Sequence, residues 1–201
     1  MKIVEIPKFV EMPPLAARSD EKYLLYLGRL ARKKGIDNLI RALAMSEEFL
    51  KSDYMLKIAG RGTDGYEQEV RDLVVELKLE DKVRFVGQVV GEEKQKILAG
   101  AFWTLMPSYT ENFGMVVLES LAQNTPVVAS NGSPWEVLEK ERLGFWTGNS
   151  PDELARVLKV IFEMDASEYE GYRTRGREFV RQNFDIRENI SKWVNAYRSL
   201  G

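Results

Sequence analysis

Two glutamates in the segment "TENFGMVVLESLAQNTPVVAS", residues 110 to 130, are separated by seven residues: Glu111 precedes Phe113 and Gly114, and Glu119 sits within the apolar run that follows. Gly114 reads as a helix start, and the helix buries Val117, Leu118 and Leu121 on one face. At about 100° per residue Glu119 falls off that face, on the side of Met115 and about 7.5 Å along the axis, so it meets a cleft or water. Glu111 lies in the loop before the helix, beside first-turn amides that lack partners and favour an anion. The layout reads carboxylate, anion hole, carboxylate. A carboxylate accepts hydrogen bonds from a diol and repels phosphate. A nucleotide sugar has the complementary layout, with ribose hydroxyls at one end, diphosphate in the middle and sugar hydroxyls at the other.

Cations for the diphosphate stand in "GRLARKKG", where Arg29 and Lys34 lie between the turn-forming Gly28 and Gly35. Taken singly, a basic run is a solvated face and a glutamate near a helix start is dipole compensation. Their order along one sheet edge points to a ligand instead. The same carboxylates would suit a glycoside hydrolase if they flanked one bond at about 5 to 9.5 Å, but no barrel or sugar-cleft signature accompanies them.

The chain has no cysteine and no histidine. Disulfides, a thiolate nucleophile, a Cys/His zinc site and a histidine base are thereby excluded. A net charge of -2 with interspersed signs argues against nucleic acid and against direct membrane recruitment, leaving membrane contact to a partner or acceptor. No apolar run approaches the roughly 20 residues of a membrane span, and "MKIVEIPKF" lacks a signal-peptide pattern, so the expected location is cytoplasmic.

These side chains need a scaffold. "YLLYLG" (23 to 28), "MLKIAG" (55 to 60), "KVRFVG" (82 to 87), "FWTLMP" (102 to 107), "PVVAS" (126 to 130) and "GFWT" (144 to 147) are short, nearly continuous apolar runs that suit strands buried on both faces. Helical spacing links Ile36, Leu39, Ile40 and Leu43, then Val70, Leu73, Val74 and Leu77, then Leu154, Val157, Leu158 and Ile161. The alternation predicts an α/β fold, an open doubly wound, mainly parallel sheet with helices on both faces. In such sheets ligands bind beyond the strand ends, and "GRLARKKG", "AGRG" with Gly60, "VGQ" and "PSYTENFG" are the loops that reach there. Residues 1–22, with their Pro-Pro pair, read as an N-terminal strand or linker segment and 23–201 as one nucleotide-sugar-binding domain. A stripe of Ile190, Trp193, Val194 and Tyr197 is expected to pack into the core.

With these motifs in order, the chain resembles the retaining glycosyltransferases of the GT-B fold, family 4, from about residue 23 onward. "GRLARKKG", "MLKIAGRG", "VRFVG" and "MPSYTENFGMVVLESLAQNTPVVAS" carry the resemblance, the last as a Glu-x7-Glu signature. The resemblance implies one Rossmann-like half of a GT-B enzyme. It assigns Arg29 and Lys34 to the donor diphosphate, Glu111 to the donor sugar's hydroxyls and Glu119 to the ribose, with Arg29, Lys34 and Glu111 as the catalytic set. Gly60 and backbone around Phe113, Gly114 and Met115 would line the donor, and backbone near Val86 would contact the base. No metal or cofactor is implied, since Arg29, Lys34 and helix amides neutralise the leaving nucleoside diphosphate.

The chain departs from the family's pattern at Asn112 and Asn124, where glycine is usual, and in "NGSPWEV", where Trp135 precedes Glu136. Trp135 is expected to pack rather than stack on a ligand. Asn124 is expected to close its helix in a left-handed conformation. "KIVEIPKFVEM" resembles a segment leaving an interdomain crossing. The implied partner is therefore an acceptor-binding subunit or a missing N-terminal domain, without which transfer is incomplete. A non-catalytic nucleotide-sugar-binding or regulatory module and a nucleotide-sugar epimerase relative stay open as alternatives.

Overall fold

The computed structural model describes residues 8–62 and 65–200. Part of the "KIVEIPKFVEM" reading therefore lies outside the described residues. Six strands, β1 (Tyr23–Leu27), β2 (Met55–Ala59), β3 (Val83–Gly87), β4 (Thr104–Met106), β5 (Val127–Ser130) and β6 (Gly144–Thr147), form one sheet in the order β3-β2-β1-β4-β5-β6. Every pairing in it is parallel. Each strand falls within one of the six apolar runs. Between and after them lie α1 (Ile36–Met45), α2 (Glu47–Lys51), α3 (Tyr66–Glu76), α4 (Gly91–Gly100), α5 (Met115–Ala122), α6 (Val137–Lys140), α7 (Pro151–Glu163), α8 (Ala166–Phe184) and α9 (Ile186–Leu200).

Side chains alternate across the sheet, and both faces are covered. On β1, Leu24 and Tyr26 join a core with Leu39 and Leu43 of α1, Val70 of α3 and Leu158 of α7, whereas Tyr23 and Leu25 pack with Leu98 of α4. On β5, Val128 faces the first cluster, while Val127 and Ala129 meet Leu118 of α5 and Val180 of α8. This is why strands of a parallel sheet read as unbroken apolar runs: neither face is left for solvent. Helix ends are marked locally. Ser150 and Glu153 form a reciprocal cap on α7 with Pro151 in its first turn, and Asn124 closes α5 at φ 57°.

Residues 8–22 form no regular strand beyond a single bridge between Val10 and Asp185. They are tied down by Gln123, which donates to the Pro14 carbonyl and accepts from the Ala16 amide, both at 2.9 Å. The C-terminal stripe corrects its expectation. Ile190, Val194 and Tyr197 are 50%, 40% and 67% exposed, and Trp193 alone of the four is half-buried, edge-on to Phe9. Helical spacing identifies an apolar face but not what covers it, and α9 packs chiefly on α8. Among the described residues no helix is long and apolar enough to cross a membrane.

Candidate functional site

The strand order reverses between β1 and β4, the place where open α/β sheets leave a crevice at their carboxyl ends. A cleft of about 430 Å³ opens there, between the ends of β1 and β2, the segment after β3, and helices α4 and α5. Arg29, Gly60 and Glu119 line it together. A larger groove of about 810 Å³ runs between the α1–α2 junction and α7 and contains no strand end.

The first wall is the loop after β1. Burial of Tyr26, with Tyr66 and Glu111 adding to the effect, pushes its hydroxyl well above the usual phenol range. It stays protonated and donates to the Arg29 carbonyl at 2.8 Å, which fixes the backbone from which Arg29 projects. The loop then makes a single 3₁₀ turn at Arg32–Lys34 and ends at Gly35, φ 64°. A β-carbon on Gly35 would lie 2.2 Å from the Pro107 carbonyl oxygen, so glycine allows this loop to lie directly on the loop after β4. The Tyr109 amide donates to the Lys33 carbonyl at 2.9 Å across the same contact.

That close approach brings Lys34 and Glu111 together as an ion pair, with side chains only 19% and 18% exposed. The Glu111 amide is held in turn by the Gly132 carbonyl at 2.8 Å. Glu119, on the side of α5, pairs with Lys94 in the first turns of α4 at 2.7 Å, with exposures of 26% and 27%. Each carboxylate singled out by the sequence thus has its own lysine.

Gly114 precedes α5 as its cap at φ 79°, with Met115 as the first helical residue. Phe113 is pinned by Trp135, whose indole N–H donates to the Phe113 carbonyl and whose ring meets the Phe113 ring edge-on at 5.2 Å. Trp135 is 2% exposed, a packing residue as expected from the sequence. Val86 packs beneath the cleft with Tyr23, Leu25 and Ala59, and Gln88 and Val89 form the wall there instead. Asn112 is exposed. Sequence reasoning missed Lys94 and Arg61 as cleft residues. Arg61 lay inside the quoted "AGRG", but a lysine three residues into a helix carries no sequence signal of its own. Among the described residues, no group of three or more His, Cys, Asp or Glu is placed to hold a metal ion.

The fold and cleft define an open, doubly wound α/β domain with an anion-compatible crevice at its topological switch point. Residues 8–179 match the family model of glycosyl transferases group 1, and the chain belongs to that family. An uncharacterized glycosyltransferase of Methanocaldococcus jannaschii is 34% identical over 188 residues, 92% of this chain and 46% of that protein. A D-inositol 3-phosphate glycosyltransferase of Saccharomonospora viridis is 30% identical over 92% of this chain and 44% of its own length. Among solved structures, sucrose-phosphate synthase from Thermosynechococcus elongatus superposes with a TM-score of 0.83 at 27% identity, covering 97% of this chain and 52% of the other. HepE of Anabaena in complex with UDP has the same fold, with a TM-score of 0.80 at 24% identity over 90% of this chain and 49% of the other. The chain spans about half the length of these relatives.

Proposed function

We propose that this chain is the donor-binding half of a retaining, metal-independent glycosyltransferase that takes its sugar from a nucleoside diphosphate sugar. The observation that carries the reading is the cleft shared by Arg29, Gly60 and Glu119 at the β1/β4 switch point. Its volume of about 430 Å³ is in the range of small-ligand sites, which run from roughly 300 to 1,000 Å³. HepE, of the same fold, was crystallised with UDP and with UDP-glucose, which favours a nucleoside diphosphate as the ligand class.

In this reading Glu119 accepts hydrogen bonds from the ribose diol. Arg29 and Lys34 neutralise the diphosphate as it leaves, and Glu111 takes hydroxyls of the donor sugar. Gly60 and the backbone of Phe113, Gly114 and Met115 line the donor, and the backbone near Val86 to Gln88 reaches the base. The stabilisation is electrostatic and acts on charge that grows in the transition state. The acceptor belongs to a second domain or subunit, because transfer requires both reactants to be held in one geometry.

Calorimetric titration of the chain with UDP, GDP and ADP tests the proposal. At least one should bind, and Arg29→Ala and Glu119→Ala should each weaken it about tenfold or more, as expected for losing a charge-assisted contact. If none of the three binds, or if both variants bind like the wild type, the donor reading is wrong.

A further inference from the structure

Past the ends of β1 and β2 the two chains keep pairing. Leu27 stands against Ala59 at the last strand position, and the isolated bridge beyond it joins Leu30 to Gly62, so the register does not slip between them. The Gly28 amide donates to the Ala59 carbonyl at 2.9 Å and the Leu30 amide to the Arg61 carbonyl at 3.0 Å, continuing the parallel ladder. Gly60 makes this possible: a β-carbon there would lie 1.8 Å from the Gly28 carbonyl oxygen. In that register Arg29 is the neighbour of Arg61. Residues in register on adjacent strands project from the same side, about 4.8 Å apart along the sheet. Both arginines line the cleft.

Like charges placed side by side on a sheet are destabilising. Among the described residues, three carboxylates of this region are hydrogen-bonded to other groups: Glu111 to Lys34, Glu119 to Lys94, and Glu67, which also feels the Arg61 charge, to Arg71 and the Gly62 amide. An anion with at least two negative charges, bridging two guanidinium groups, would compensate the pair through several charge-assisted hydrogen bonds.

We propose that Arg61 is a further donor-binding residue, forming with Arg29 a two-arginine grip on the diphosphate. The inference rests on the donor reading above and adds a residue outside the motif that supplies Arg29 and Lys34. Arg61 reaches the diphosphate from the β2 side and Arg29 from the β1 side.

The test compares wild type, Arg61→Ala and Arg61→Lys by calorimetry, using whichever of UDP, GDP and ADP binds wild type best and the matching nucleoside monophosphate. Arg61→Ala should weaken the diphosphate about tenfold or more and the monophosphate less than threefold, and Arg61→Lys should recover part of the loss. Thermal unfolding of Arg61→Lys should match wild type and that of Arg61→Ala should be no lower, since Arg61 is exposed and stands beside a like charge. Diphosphate affinity unchanged in Arg61→Ala overturns the proposal. So do losses for diphosphate and monophosphate that agree within threefold, because Arg61 would then not act through the second phosphate. Failure of wild type to bind any of the three diphosphates would instead remove the donor reading itself.

Discussion

Lys34 and Glu111 meet across the two loops that follow β1 and β4, in an ion pair whose members are each about four-fifths buried. The residues proposed to hold the diphosphate and the donor sugar are thus each other's partners. In the proposed donor reading, a ligand's diphosphate would compete with Glu111 for Lys34. Glu111→Gln should leave binding of the bare nucleoside diphosphate unchanged or tighten it by up to about fivefold, corresponding to a partly exposed pair worth up to about 1 kcal/mol. It should also erase the extra affinity contributed by the sugar of the nucleoside diphosphate sugar. Parallel titrations with the two ligands separate these effects. Weaker binding of the bare diphosphate in Glu111→Gln would show that the pair does not compete with it.

Trp135 holds the Phe113 carbonyl, one residue before the cap of α5, and is surrounded by the Phe113 and Phe184 rings. Trp135→Phe keeps most of the apolar volume and removes the N–H donor. The carbonyl left without a partner should cost about 1 to 3 kcal/mol, whereas Trp135→Ala adds a cavity and should cost about 3 to 5 kcal/mol. Urea unfolding monitored by circular dichroism measures both. A Trp135→Phe variant as stable as the wild type would mean that the indole N–H contributes nothing beyond packing.

The acid limb of stability should begin low. Glu178 is held at about 2 by the Arg181 guanidinium and then Gln182, and Glu67 is held below the usual carboxylate value of 4.5 by Arg71 and the Gly62 amide. Lys57 lowers Glu21 in the same way. A carboxylate whose folded pKa is depressed stabilises the fold above its unfolded pKa and loses that contribution as pH falls through the folded value. With no histidine to titrate, the melting temperature should stay flat from pH 8 to about 5 and fall between about 4.5 and 2. On the alkaline side, burial raises Tyr23 and Tyr169 to about 12, so their contribution is full below pH 10 and is lost as pH rises from there through 12. Scanning calorimetry across this range checks both limbs. A melting-temperature transition between pH 6 and 7 would contradict the assignment.

The sheet was legible because each strand is buried on both faces and so writes its own apolar run, as "YLLYLG" and "PVVAS" do. The short helices α2 and α6 were not, since four or five residues carry too little periodicity to separate from a loop. The stripe on α9 was visible as a pattern but misread as core, because Ile190, Val194 and Tyr197 show where the apolar side of the helix is and not what lies against it.

For the candidate site, residue type and spacing singled out Arg29, Lys34, Glu111 and Glu119, and local helix geometry was enough to turn Glu119 away from the apolar face of α5. Which of them meet is another matter. Lys34 pairs with a residue 77 positions away and Glu119 with one 25 positions away. Those distances close only because Gly35 lets one loop rest on Pro107 and because α4 packs beside α5. Alternating strand and helix, the glycines at the turns and the charges beyond the strand ends are local properties, and the sequence by itself determined them. The tertiary structure alone decided that each glutamate is held by a lysine and that Arg61 stands beside Arg29, because pairing and register depend on how separate segments pack together.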